Sequence, residues 1–328
     1  MFEGKNIFIT GGTGSWGHEL VRQLLPQKPS KIVIYSRSEA SQVAMKREFD
    51  DPRLHFCIGD IRDKEALIAA SAGMDYLYHL AALKHVPVCE DQPYEALKTN
   101  VLGTANVIEA AIENNIKKVI YISTDKAANS SNFYGLTKAI GEKLIVHANT
   151  LSSNTRFVCV RGGNVLGTNG SVIHLFMDQI RQKKEIGITD AQMTRFFLTL
   201  EDAIKLLFKA SKEAIGGEIF VMIMPSCRIV DLAAVLAEDL GVEDYEIREL
   251  GVRPGEKIHE ILYSDYESQN TIVYDHEYLV ILPTLEIKGL KEAYSSYPKV
   301  QQKTYCSADH LMTRDEIRKM LVKGRFLP

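Results

Sequence analysis

The chain has 328 residues, 45% hydrophobic and 25% charged, long enough for a large core and two lobes. Its 39 basic and 42 acidic residues nearly cancel, so no global field favours nucleic acid or an anionic membrane, and no apolar run approaches the ~18 residues that a membrane span needs. Five scattered cysteines (Cys57, Cys89, Cys159, Cys227, Cys306) without a CxxC pair argue against a disulfide framework and a zinc site, so no metal is expected; with no secretory signal in "MFEGKNIFIT", the expected compartment is the cytoplasm.

The first predicted strand, "KNIFIT" (5–10), runs into "TGGTGSWG", where Gly11, Gly14 and Gly17 form GxxGxxG before a helix. Such a turn lets the backbone approach a pyrophosphate held at the helix N-terminus, with Thr13 and Ser15 in the same stretch. Trp16, the single tryptophan, either covers the phosphates or packs. The second strand, "KIVIYS" (31–36), ends in "YSRSE". A carboxylate commonly reads the ribose there; Ser36, Arg37 and Ser38 instead suit a 2′-phosphate, which favours NADP, with NAD read by Glu39 as the alternative. The third strand, "LHFCIGD" (54–60), presents Asp60 and Ile61 toward an adenine, and the fourth, "DYLYHLAA" (75–82), ends in the small Ala81 and Ala82.

A helix is predicted over 96–115, a fifth strand over 117–124 ending at Thr124, and a sixth over 156–163. The strands are near-continuously apolar, as in a parallel sheet buried on both faces, and they alternate with helices. A doubly wound parallel α/β sheet (Rossmann) follows, over residues 1–165. The less regular remainder, 166–328, forms a smaller mixed α/β substrate-binding lobe, from which segments such as 216–225 can return to the sheet. Its last helix opens with a Thr313–Glu316 capping box.

Between the fifth and sixth strands lies "STDKAANSSNFYGLTK" (123–138). Tyr134 and Lys138 sit four apart on one helix face; an ammonium beside a phenol favours phenolate, so Tyr134 can take a proton from an alcohol as hydride leaves for the cofactor. The adjacent Asp125 and Lys126 add an acid and an amine that simple alcohol oxidation does not require.

The blocks "GGTGSWG", "YSRSE", "GDIRD", "AALKHVP", "STDKAAN", "YGLTK", "GNVLGTNGSV", "MTRF", "GGEIFV" and "RPGEKIHE", from residue 11 to about 260, resemble the UDP-N-acetylglucosamine 4,6-dehydratases among the extended short-chain dehydrogenase/reductases. The resemblance implies oxidation at C4, loss of water across C5 and C6, and return of hydride to C6. It implies that Lys126 takes the C5 proton and Asp125 protonates the departing C6 hydroxyl, which requires a neutral Lys126 and a protonated Asp125. Retaining members tend to carry methionine where Tyr134 stands, so the resemblance points to the inverting branch and to UDP-2-acetamido-2,6-dideoxy-L-arabino-hexos-4-ulose, which begins pseudaminic acid synthesis. A retaining dehydratase, a C4 epimerase and an inactive NADP-binding regulator are the alternatives.

For the UDP-sugar, the expected diphosphate ligands are Arg195 and Arg253, with Glu256 on the ribose and Thr189 on the uridine. By resemblance Asn164, Ser171 and Val172 lie near the phosphates, Lys84 touches both sugar and cofactor, and the enzyme is a homo-oligomer such as a hexamer.

Overall fold

The structure, a computed structural model, describes residues 1–167, 172–183, 185–242 and 244–327. Six parallel strands are supplied by the first half: β1 (Asn6–Thr10), β2 (Lys31–Ser36), β3 (Leu54–Ile58), β4 (Tyr76–His79), β5 (Lys118–Thr124) and β6 (Arg156–Gly162). Ile219–Met222 adds parallel to β6, and Tyr278–Ile281 and Thr271–Val273 complete that edge antiparallel. Among the described residues this makes a nine-stranded sheet, with β1 between β2 and β4. The chain therefore winds outward from β1 to β3 and then crosses back to β4. That reversal opens a crevice beyond the carboxyl ends of β1 and β4, where ligands bind in such sheets.

The apolar strand runs are explained by two cores. Phe8, Val33, Tyr35, Leu77, Val119 and Phe157 face one layer; Ile7, Ile9, Ile32, Ile34, Ile120 and Val158 face the other. One buried cation bolts the parts together. The Arg161 guanidinium on β6 donates to Glu142 (Nε–Oε1 3.0 Å), to Glu267 (Nη2–Oε1 2.8 Å) and to the Leu262 carbonyl (2.9 Å), fixing helix Phe133–Ala148 and a C-terminal turn to the sheet.

A third core belongs to the smaller lobe. Phe176 and Ile180 from helix Val172–Lys183 meet Leu232 and Leu236 from Ile229–Asp239, and Ile317 and Leu321 from Arg314–Lys323. The last of these helices carries the Thr313–Glu316 capping box read from the sequence. The sheet itself draws on strands well past residue 165, so the lobes interleave along the chain. No helix among the described residues is long and apolar enough to cross a membrane.

Candidate active site

The glycine turn is built for close approach. Gly11 has φ 66°, and a Cβ there would lie 2.8 Å from the Ala81 backbone; a Cβ on Gly17 would lie 1.9 Å from the Gly12 carbonyl oxygen. Gly14 precedes helix α1 (Ser15–Leu24), whose N-terminus carries no side-chain cap and no acidic residue in its first turn. Its unpaired N–H groups and positive dipole end are suited to a pyrophosphate. These features fit a dinucleotide.

From this turn a cleft of about 730 Å³ runs to the second lobe. Gly11, Gly14, Ser15, Trp16, Ala81, Ala82 and Lys84 line its cofactor end, with Thr124, Lys126, Tyr134 and Lys138 farther in. Asn100 holds the loop after β4, accepting from the Leu83 N–H (2.8 Å) and donating to the Leu83 carbonyl (2.9 Å), which sets Lys84 at the wall. Burial lowers the proton affinity of that lysine.

Thr13, Gly17, Ser36, Arg37, Ser38, Asp60 and Ile61 lie outside this wall, in the turn, in the first turn of α1, and at or beyond the ends of β2 and β3. Arg37 is exposed there. The serines expected beside it as phosphate donors already have local partners. Ser36 Oγ accepts from Gln42 (3.0 Å), and Ser38 Oγ caps helix Glu39–Phe49 by accepting from the Ser41 N–H (3.2 Å). Arg62 Nη2 sits 2.6 Å from Asp60 Oδ2 and helps hold that carboxyl below its usual range against the opposing effect of burial. Ile61 is buried against Gly103.

At the inner end, β5 delivers Thr124, and a single turn of 3₁₀ helix (Asp125–Ala127) places the acid and the amine. The helix bearing Tyr134 and Lys138 starts tightly against this turn: a Cβ on Gly135 would lie 2.3 Å from the Lys126 carbonyl oxygen, so glycine is required. Asn132 caps that helix by accepting from the Gly135 N–H (2.8 Å). Lys126 Nζ lies 3.0 Å from Asp125 Oδ1, 3.3 Å from Asn164 Oδ1 and 3.5 Å from Glu260 Oε1. Asp125 is fully buried; its Oδ1 also accepts from Thr124 Oγ1 (2.9 Å), while its buried Oδ2 has no partner among the described residues.

The electrostatics correct two expectations. Desolvation pulls the Lys126 proton affinity down, but Asp125 and Glu260 outweigh it and drive it well above the ordinary lysine value, so Lys126 rests as an ammonium rather than as a neutral amine. Burial pushes the Tyr134 phenol up to about 12, and the cation opposing that rise is Lys126 rather than Lys138. Lys138, buried over the Tyr121 ring at 3.9 Å, falls to about 7 through desolvation.

The family described as polysaccharide biosynthesis protein matches residues 7–282. The chain belongs to this family. One relative, UDP-N-acetylglucosamine 4,6-dehydratase (inverting) from Campylobacter jejuni subsp. jejuni serotype O:23/36 (strain 81-176), is 45% identical over 299 residues, covering 90% of this chain and 88% of that protein. A UDP-glucose 4-epimerase from Rickettsia rickettsii (strain Sheila Smith) is 45% identical over 81% of this chain and 80% of its own length. The X-ray structure of Pen from Bacillus thuringiensis matches with a TM-score of 0.92 and 37% identity over 100% of both chains.

In this member of the polysaccharide biosynthesis family, Asn164, Val172, Thr189, Arg253 and Glu256 line the same cleft as Lys84; Ser171 lies outside the described residues. Arg253 is half exposed, and Glu256 keeps a buried Oε2 without a partner among the described residues, an acceptor suited to ribose hydroxyls. Arg195 also lines the cleft, but three of its five N–H groups are engaged by the protein. Nη1 donates to the Thr194 and Ile258 carbonyls (2.7 and 3.0 Å), Nη2 donates to the Lys257 carbonyl (2.9 Å), and Nε faces Glu260 at 3.7 Å. It braces the loop beneath the site, and both Nη atoms of the planar fork expected for a diphosphate already donate to that loop or to Thr194. Glu260 was not singled out from the sequence. It closes the "RPGEKIHE" block, and no local pattern reveals that it reaches Lys126.

Proposed function

We propose that the protein is an NADP-dependent UDP-N-acetylglucosamine 4,6-dehydratase, a hydro-lyase that inverts C5 and supplies a 4-keto-6-deoxy sugar nucleotide for surface-glycan synthesis. The observation that carries this reading is the Asp125–Lys126 pair, 3.0 Å apart at the inner end of a dinucleotide cleft beside Tyr134 and Lys138. An epimerase needs the tyrosine; it has no use for a second acid–base pair.

The glycine turn, the uncapped helix and the small Ala81 and Ala82 would hold the dinucleotide, and Arg37 would meet a 2′-phosphate. A nicotinamide held there would supply the hydride chemistry, as acceptor from C4 and donor to C6. The C4 hydroxyl proton would pass to Tyr134 as the phenolate, a form that Lys126 and the positive charge of an oxidised nicotinamide would favour against the burial that holds the phenol up to about 12. The resting Asp125–Lys126 ion pair becomes carboxylic acid and amine by one proton shift along its hydrogen bond, with no net proton change. The amine removes the C5 hydrogen, acidified by the C4 ketone, and Asp125 protonates the departing C6 hydroxyl, which leaves as water; the ion pair is restored. Lys126 then returns a proton to C5, which inverts if the flattened carbon presents its other face. Tyr134 has now gained a proton and Lys126 has lost one, so a transfer between these two cleft-lining groups resets the site.

The test is turnover of UDP-N-acetylglucosamine in heavy water, read by proton NMR. A C6 methyl signal, deuterium at C5 and the L-arabino configuration are expected. A product that keeps its C6 oxygen supports the epimerase reading, which the Rickettsia relative makes the relevant rival. Arg37→Ala should weaken NADP by about tenfold more than NAD in a binding titration; equal losses would undo the cofactor assignment.

A further inference from the structure

Lys126 is flanked by two carboxylates, and the elimination uses only one. The other, Glu260, is 3% exposed, with Oε1 3.5 Å from Lys126 Nζ and 3.7 Å from Arg195 Nε. Its Oε2 is buried without a partner among the described residues. A carboxylate in such a place carries a desolvation penalty that its partial pairing offsets only in part, so fold stability is a poor reason for its presence.

Its position is fixed from both sides. The Glu260 N–H donates to Ser307 Oγ (2.9 Å), and its carbonyl accepts from the Ser307 N–H (2.9 Å). Upstream, the same loop is fastened to the catalytic segment. The Gly255 carbonyl accepts from Ser131 Oγ (3.0 Å) and Asn132 Nδ2 (2.9 Å), and Lys257 Nζ donates to the Ala128 carbonyl (3.1 Å). The loop that presents Arg253 and Glu256 to the cleft thus also delivers a charge to Lys126.

The ionisable groups around Lys126 come from every neighbouring element: Asp125 from its own turn, Tyr134 from the following helix, Arg195 from strand Thr194–Leu198, and Lys257 and Glu260 from the loop. Without Glu260, Lys126 would face one carboxylate and two cations. With it, the anions balance them.

We propose that Glu260 is a positioning residue that keeps Lys126 an ammonium aimed into the cleft between turnovers, so that the proton delivered to C5 comes from Lys126. The proposal rests on the dehydratase reading for its consequence at C5, but the charge lock itself can be measured without turnover. Protein labelled with ¹⁵N-lysine and saturated with NADP is titrated by NMR, the Lys126 signal being the one lost in Lys126→Met; kcat/KM is followed over the same pH range. Glu260→Gln removes the charge in the same shape, so Lys126 should lose its proton at a pH lower by about one unit, a tenfold change, and the alkaline limb of kcat/KM should move with it. Glu260→Asp withdraws the charge by one methylene and should move the midpoint in the same direction by less, about threefold; it also decides the matter if the glutamine variant does not fold. An unmoved Lys126 midpoint in either folded variant overturns the proposal. A wild-type product without a C6 methyl group sinks the dehydratase reading alone, while an unmoved midpoint in an enzyme that makes the methyl product sinks only the role of Glu260.

Discussion

Lys126, on the turn after β5, and Lys138, on the helix that follows, both line the cleft, and their surroundings drive them in opposite directions. Lys126 is 20% exposed, yet its proton is held tightly because two carboxylates reach it. Lys138 is 4% exposed and lies over the Tyr121 ring, and its proton affinity falls to about 7. The difference is compensation. Glu142, one turn beyond Lys138, could have paired with it, but Arg161 binds both oxygens of that carboxylate. Burial without an anion neutralises an amine, whereas burial between anions keeps it charged. The site therefore holds one lysine as an ammonium and the other near the point of losing its charge.

The sharpest way to break that contrast is Lys126→Ala. Loss of a positioned acid–base group costs roughly 10²–10⁴ in rate, so kcat should fall by about 10³ while NADP binding, measured by titration, stays intact. Appreciable turnover by this variant would remove Lys126 from the chemistry. Asp125→Asn comes next, with an expected loss of about 10²–10³ in water release. Without Asp125, Lys126 loses both its proton acceptor and the anion that most strongly holds its charge, so it reaches the amine by giving its proton to solvent, and exchange of the C5 hydrogen in heavy water should persist while water release falls. Unchanged dehydration would contradict the acid role.

These expectations were partly legible in the sequence. The six parallel strands announced themselves because a strand buried on both faces must be apolar at nearly every position, as β2 and β6 are. Tyr134 and Lys138 could be paired on spacing, and Asp125 and Lys126 on adjacency, because helix and turn geometry are local. The charge states were not legible. Lys126 is held charged by Asp125 and also by Glu260, and Glu260 arrives from another lobe through a loop bonded to Ala128, Ser131 and Asn132. The edge strands Thr271–Val273 and Tyr278–Ile281 also went unread, since three or four residues give too little periodicity and their place depends on Ile219–Met222.

Lys138 gives a prediction in stability. Its folded value near 7 lies below the ordinary 10.5, so in the interval between them the unfolded chain binds more protons and stability rises with pH. Below about 7 the burial penalty is present in full; above about 10.5 it is gone. Lys138→Met, of similar shape and without the charge, should therefore raise stability by roughly 2–4 kcal/mol at pH 6, and the gain should vanish toward pH 10.5. Denaturant melts at the two pH values measure this. A pH-independent gain would mean that packing is responsible, and the contrast with Lys126 would lose its electrostatic basis.

The same logic separates the two arginines of the cleft, with the smallest expected effect. Arg195 donates to three backbone carbonyls, so three of its five N–H groups are engaged by the protein before any ligand arrives. Arg253 is 55% exposed and meets Glu256 only at 4.0 Å, which leaves its fork open to phosphate oxygens. Arg253→Ala should raise KM for the UDP-sugar by about tenfold, worth ~1.4 kcal/mol, with little change in kcat or in melting temperature. Arg195→Ala should instead lower the melting temperature, because three carbonyls lose a buried partner, and any kinetic loss should follow from the displaced loop and Glu260. If Arg195→Ala raised KM with unaltered stability while Arg253→Ala did nothing, the assignment would be reversed: a guanidinium bound to the protein would have to be released for the ligand, and compensation within the protein would be no guide to which charges the substrate meets.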